Sequence, residues 1–186
     1  MTVGQAVLLG LIRRYLAAVM DPTVTLLEVH KLMYFQQEAG EPLRLQYEKA
    51  PYGPYARNLR HVLSHIEGHF ITGYEAAEAR PDKPLELNIQ AADKAVAFLE
   101  NHRETQERFD RVANLIQGFE TPFCMELLSA VHWVVMKEGA GTVEETVSKV
   151  HHWNKRKLMF KPQHIEIATG RLSSTKWFLE YIYSRT

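Results

Sequence analysis

The sequence predicts a mainly α-helical single domain with a small β-hairpin element near residues 43–90. Three observations carry this. Apolar residues recur at i, i+3, i+4 and i+7 spacing over most of the chain. Helix start and stop signals bracket those runs. Only residues 41–90 break the helical period, with Leu43, Leu45 and Tyr47 alternating against Arg44, Gln46 and Glu48, which is the period of an extended strand.

The elements follow in order. Val7, Leu8, Leu11, Ile12, Tyr15 and Val19 line one face of a first helix over 3–19. Asp21-Pro22 breaks it, because proline cannot continue a helix. Thr23 or Thr25 caps a second helix running to about Ala39. Glu28 stands at the capping-box position of Thr25, and Gly40 closes the helix. Pro51-Tyr52-Gly53-Pro54 reads as a turn, with Pro54 as the first residue of a third helix to about Glu67. The runs around Phe70–Tyr74 and Leu85–Ile89 form a short hairpin across a long polar loop. From Ala91 the helical signal returns. Phe98 and Leu99 mark one helix, and Phe109, Val112, Leu115 and Ile116 a second. A strongly apolar third opens at Thr121-Pro122. Thr142 and Glu145 form the capping box of a fourth, and Pro162 opens the last, to about Leu172. The tail from Lys176 to Thr186 fits helix or strand equally.

Composition bounds the function. The chain has 186 residues, 46% hydrophobic and 24% charged, which is the balance of a globular domain. Lys and Arg together number 22, as do Asp and Glu. A nucleic-acid binder is normally basic, so nucleic acid is an unlikely partner. The neutrality hides blocks: residues 67–110 hold ten acidic and five basic side chains, and residues 149–186 hold eight basic and two acidic. A single cysteine, Cys124, excludes an intrachain disulfide. No apolar run reaches the length of a membrane span and the N-terminus lacks signal-peptide order, so the expectation is a cytoplasmic protein without membrane contact.

Chemical motifs are sparse. There is no phosphate loop, GxGxxG, GxSxG or HExxH. His61, His65 and His69 are spaced by four, compatible with a metal face or with a polar helix end. Cys124 sits in the first turn of an apolar helix, fitting an activated thiol or a small buried side chain. The expected inventory is no catalytic residues, no metal and no cofactor. The most distinctive segment is Tyr52 to His61, where Tyr52 and Tyr55 flank a fixed turn. Two amphipathic rings there either anchor a partner or pack the turn onto the core.

A longer series of segments resembles a known family. It comprises Thr25 to Phe35, Gln37 to Leu43, Pro51 to Tyr55 and Asn58 to His61. It continues through Glu67 to Phe70, Pro81 to Pro84, Gly118 to Pro122, Met125 to Leu128, Val131 to Trp133, Trp153 to Lys157 and Phe160 to Ile165. Together these resemble the C-terminal domain of the DarG antitoxin, and more distantly the Panacea group of antitoxin domains. The resemblance covers about residues 5–175. It implies a non-enzymatic domain that binds and neutralises a DarT-type toxin, an enzyme that ADP-ribosylates thymine in single-stranded DNA. The macrodomain of DarG proteins has no counterpart here, so residues 1–186 are expected to form one toxin-binding domain.

On that reading, acidic and aromatic side chains occupy the toxin's basic DNA groove. The candidates are Tyr52, Tyr55, Tyr74, Glu75, Glu78, Asp82 and Glu86. The alternative is a DNA-binding operon regulator using the basic C-terminal helices, with Lys155-Arg156-Lys157 beside Trp153 touching phosphates.

Overall fold

The computed structural model describes residues 1–75 and 80–178. Among these the chain forms α1 (Val3–Val19), β1 (Thr23–Thr25), α2 (Leu26–Glu38), β2 (Tyr47–Ala50), β3 (Gly53–Ala56) and α3 (Leu59–Ile66). There follow β4 (Ile71–Thr72), β5 (Pro84–Leu87), α4 (Ile89–Leu99), α5 (Arg103–Ile116), α6 (Pro122–Met136), α7 (Val143–Trp153), a 3-10 turn (Lys155–Met159) and α8 (Pro162–Ser174). The mainly α single domain expected from the sequence is what the structure has.

The core is built around α2 and α6. Eleven of the thirteen residues of α2 are buried, from Leu26 to Gln36 without a break. A helix enclosed on every side has no polar face to spare. Several of its polar members are paired internally, whereas His30 Nδ1 and Gln36 Oε1 have no hydrogen-bond partner. Tyr15 Oη donates to Glu28 Oε1 at 2.6 Å, and Thr25 Oγ1 donates to Glu28 Oε2 at 2.6 Å. The Tyr34 hydroxyl meets His132 Nδ1 of α6 at 2.8 Å. The capping box of Thr25 and Glu28 is formed in full. Thr121 caps α6 through Cys124 N–H, and Thr142 caps α7 through Glu145 N–H.

Two small antiparallel sheets flank these helices. One has the order β1-β5-β4, with Val24 opposite Leu85 and Ile71 opposite Leu87. Its β4–β5 pair is the expected hairpin, while β1 as its third strand went unread. The other sheet is the hairpin β2–β3, with Lys49 opposite Pro54 and Ala50 opposite Gly53.

Residues 53–56 correct the sequence reading. Pro54 does not open a helix; it lies inside β3, and α3 starts only at Leu59. Proline lacks the N–H that a helix interior needs but is equally tolerated at a sheet edge. Here its carbonyl has a buried partner. The alternating segment 43–47 is not the continuous extended strand its period predicts: Arg44 turns left-handed at φ +59°, and the ladder begins only at Tyr47. Before that a side chain replaces the neighbouring strand: Gln37 accepts from Leu45 N–H at 2.7 Å and donates to Leu45 O at 2.9 Å.

Among the described residues, no helix is long and apolar enough to cross a membrane. Residues 179–186 of the ambiguous tail lie outside the described residues; Trp177 and Phe178 just before them are buried.

Candidate functional site

The β2–β3 hairpin is held against the helices by side chains that capture its turn carbonyls. Lys31 Nζ on α2 donates to Pro54 O at 2.7 Å. Lys157 Nζ on the 3-10 turn donates to Pro51 O at 3.0 Å, and Asn154 Nδ2 donates to the same oxygen at 3.0 Å. Trp153 Nε1 at the end of α7 donates to Ala50 O at 2.8 Å. Gly53 has φ +99°, a conformation that glycine reaches without a side-chain penalty. Each carbonyl fixed in this way shapes the wall of the space between hairpin and α2.

That space is a pocket of about 430 Å3, within the usual range of roughly 300–1,000 Å3 for small-molecule sites. Its inner wall is His30, Lys31 and Leu27; its outer wall is Lys49, Tyr52, Tyr55 and Arg57 of the hairpin and the segment after it. The Tyr55 ring stacks on His30 with centroids 4.4 Å apart and planes 22° off parallel. His30 is buried, and its Nδ1 has no hydrogen-bond partner. Its imidazole is held neutral. Burial, then the neighbouring Lys31 charge, push its pKa down to about 3. Lys31 is buried too. Burial, helped by Lys157 and opposed by Glu126, lowers its pKa to about 7. At the rim Arg57 Nε pairs with Glu48 Oε1 at 2.8 Å. Lys49 Nζ pairs with Glu138 Oε1 at 2.7 Å and lies 4.6 Å from the Trp153 ring centroid. The lining thus combines the Tyr52 and Tyr55 rings with Lys31, Lys49 and Arg57, with Glu48 the carboxylate among the lining residues.

A buried ionic knot backs this wall. Glu126 of α6 is fully buried. It accepts from Lys157 Nζ at 2.5 Å and from Arg156 Nε at 3.1 Å and Nη2 at 2.9 Å. The Arg156 guanidinium in turn lies 4.5 Å from the Tyr52 ring centroid. Of the basic run 155–157, Lys157 is wholly enclosed and cannot meet a phosphate backbone, while Lys155 and Arg156 stay exposed, Arg156 with its guanidinium tied to Glu126.

No protein-family model matches the chain. Curated relatives do. A protein of Thermus aquaticus named DNA ADP-ribosyl glycohydrolase is 40% identical over 146 residues, which are 78% of this chain and 40% of the relative. Proteins of the same name from Mycobacterium tuberculosis and Mycobacterium bovis are 35% identical over 188 residues, 94% of this chain and 53% of each relative. The chain is thus similar to part of proteins named DNA ADP-ribosyl glycohydrolase. It spans about half the length of the relatives it matches.

This kinship supports a DarG-related protein and corrects the functional expectation. The sequence pointed to a non-enzymatic antitoxin domain that neutralises a DarT-type toxin by contact, or else to an operon regulator. The DNA ADP-ribosyl glycohydrolases carry the name of an enzyme, which overturns both readings and the statement that the chain is no enzyme. A pocket assembled from α2 and a hairpin leaves no short motif in the sequence.

The seven residues singled out from sequence are scattered. Tyr52 and Tyr55 line the pocket. Tyr74 is buried at 5% exposure and offers no free ring. Glu75 is exposed, with Lys83 Nζ 3.6 Å away. Asp82 lies on an adjoining cavity with Tyr52. Glu86 lines a different cavity beside Met20 and Asp21. Glu78 lies outside the described residues. Sequence reasoning missed His30, Lys31, Lys49 and Arg57. The available signal was Lys31, a charged residue within the unbroken run Val29 to Phe35, where a solvated lysine has no face to occupy.

Among the described residues no three His, Cys, Asp or Glu side chains come together as metal ligands. His61 and His65 lie on α3, and His69 lies past its end.

Proposed function

We propose that this chain takes part in removing ADP-ribosyl groups from DNA, and that the pocket between α2 and the β2–β3 hairpin holds the ADP-ribosyl group. The observation that carries the reading is the pairing of an aromatic wall with a cationic rim in one cavity. The adenine of an ADP-ribosyl group is flat and finds the Tyr55 and Tyr52 rings. Its diphosphate finds Lys49 and Arg57 at the mouth. Kinship with proteins named for this reaction supplies the substrate class.

Glycosidic hydrolysis passes through an oxocarbenium-like centre that a carboxylate stabilises. On this reading Glu48 is that carboxylate, oriented by Arg57 at 2.8 Å. His30, neutral at physiological pH, accepts or donates one hydrogen bond to the bound group without adding charge.

The test is a pair of measurements on the purified chain: calorimetric titration with ADP-ribose, and release of ADP-ribose from a modified oligonucleotide. Binding together with release that Glu48→Gln abolishes supports the full reading. Binding without release removes the catalytic role from Glu48 and leaves the pocket as a holding site. Failure of both overturns the proposal.

A further inference from the structure

Lys31 differs from the other cations of the pocket. Lys49 and Arg57 stand at the rim, and each is paired with a carboxylate, Glu138 and Glu48. Lys31 lines the inner wall at 2% exposure, and its Nζ donates to a neutral group, the Pro54 carbonyl at 2.7 Å. Among the described residues no carboxylate pairs with it. Lys157, the other enclosed lysine, has the Glu126 carboxylate in contact.

A buried ammonium without a counter-charge is costly. Burial and the Lys157 charge accordingly bring the Lys31 pKa down to about 7, with Glu126 opposing. Lys31 thus faces Lys157 from the 3-10 turn and Glu126 from α6, with His30 beside it on α2. Across the cavity stand Lys49, Glu48 and Arg57 with the two tyrosines. His30 does not compete for a proton near neutral pH, because burial holds it at a pKa of about 3. An anion in the cavity changes the balance at Lys31 without having to touch it. At an effective dielectric constant of about 20, a unit negative charge about 8 Å away favours the protonated amine roughly 30-fold.

We propose that Lys31 is a proton-operated counter-charge for the ligand's diphosphate, so that the pocket takes the anionic group together with a proton from solvent, held on Lys31 Nζ. The proposal rests on the reading of this pocket as the ADP-ribosyl site. The rim cations are already balanced by Glu138 and Glu48, and the proton on Lys31 supplies the positive charge that the diphosphate still needs. Coupling of this kind is reciprocal. The bound anion raises the affinity of Lys31 for its proton, and the proton raises the affinity of the pocket for the anion. The ligand is therefore held more tightly as pH falls through neutrality and let go as pH rises.

The experiment is calorimetric titration with ADP-ribose in pairs of buffers of different ionisation enthalpy, from pH 6.5 to 8.5. The diphosphate of ADP-ribose does not titrate in this range, so the protons counted belong to the chain. The expected result at pH 7.5 is uptake of about half a proton or more per ligand bound, with affinity falling roughly tenfold from pH 6.5 to 8.5. Lys49→Met is expected to weaken binding and keep the uptake, whereas Lys31→Met loses the uptake and the pH dependence. Uptake below about a fifth of a proton, or uptake that survives Lys31→Met, overturns the proposal. Should Lys31→Met not fold, the Lys31 Cε resonance of the intact chain, titrated with and without ADP-ribose, decides: an unmoved midpoint overturns it. Sulfate, a second anion that does not titrate here, separates the two readings. Sulfate bound with proton uptake, where ADP-ribose does not bind, keeps the role of Lys31 and removes the ADP-ribosyl reading. ADP-ribose bound without uptake does the reverse, and failure of both anions to bind overturns both.

Discussion

Lys157 and Glu126 form an ion pair with both side chains fully enclosed, Nζ to Oε1 at 2.5 Å. The carboxylate is shared with Arg156, so one buried negative charge holds two cations. Through Lys157 it fixes the Pro51 carbonyl, and through Arg156 it fixes the face of Tyr52. One side chain on α6 thus sets the geometry of a hairpin far from it in sequence.

Removing that charge strands its partners. Breaking a buried pair from one side leaves an uncompensated ion and costs about 3–5 kcal/mol. Glu126→Ala is therefore expected to lower stability by that order in urea denaturation. Arg103→Ala, which breaks the exposed pair with Glu107, is expected to leave the midpoint unchanged. Equal effects from the two substitutions count against the knot as the hairpin's anchor.

Gly53 is the second point of control. At φ +99° a Cβ is strained, and an added Cβ meets Lys31 Nζ at 3.1 Å and Ser129 Oγ at 3.3 Å. Gly53→Ala is expected to cost about 1–3 kcal/mol from backbone strain. Tm falls by roughly 2–12 °C, and any ligand of the pocket binds more weakly because Lys31 is displaced. An unchanged Tm shows that the turn relaxes freely.

Two histidines make the fold acid-sensitive. His30 and His132 are both buried, and desolvation holds each near a pKa of about 3, against about 6.5 in an unfolded chain. Between those values the unfolded state binds protons that the native state does not. Stability therefore rises with pH through this window and is lost as pH falls from about 6.5 towards 3. The limiting slope is about 1.4 kcal/mol per pH unit for each histidine. His30→Gln removes one of the two contributions. Denaturation midpoints measured from pH 7 to 4 are expected to fall less steeply in that variant than in the native chain.

The helices were readable because their signals are local. Thr25 with Glu28, Thr121 ahead of Pro122 and Thr142 ahead of Glu145 each cap the helix that the residues around them announce. What sequence missed has partners far along the chain. β1 pairs with β5 across some sixty residues of sequence, which no local period reports. Pro54 in isolation fits a helix start. Only the donor from Lys31, twenty-three positions earlier, shows why it sits in a strand. The site failed for the same reason. Tyr52 and Tyr55 stood out as unusual, but His30 and Lys31, which turn them into a pocket, looked like part of an ordinary apolar helix face.

Lys31 provides a titration with the opposite reach. Burial, aided by the Lys157 charge, lowers its pKa to about 7, whereas an unfolded lysine titrates near about 10.4. Below about pH 7 both states carry the proton and the group adds no slope. Between about 7 and 10.4 the unfolded state keeps a proton that the native state has shed, so native stability rises with pH across that window. The gain approaches about 1.4 kcal/mol per unit at its steepest. Lys157 is shifted the same way by burial, with Glu126 opposing, so the Lys31 share has to be isolated by substitution. Lys31→Met keeps the length of the stem, leaves the Pro54 carbonyl without its donor and abolishes this titration. Urea midpoints at pH 7, 8 and 9 are expected to climb in the native chain and to climb less in Lys31→Met. Parallel curves mean that the lysine keeps its ordinary pKa inside the fold, and the pocket then carries a full positive charge at its base at neutral pH.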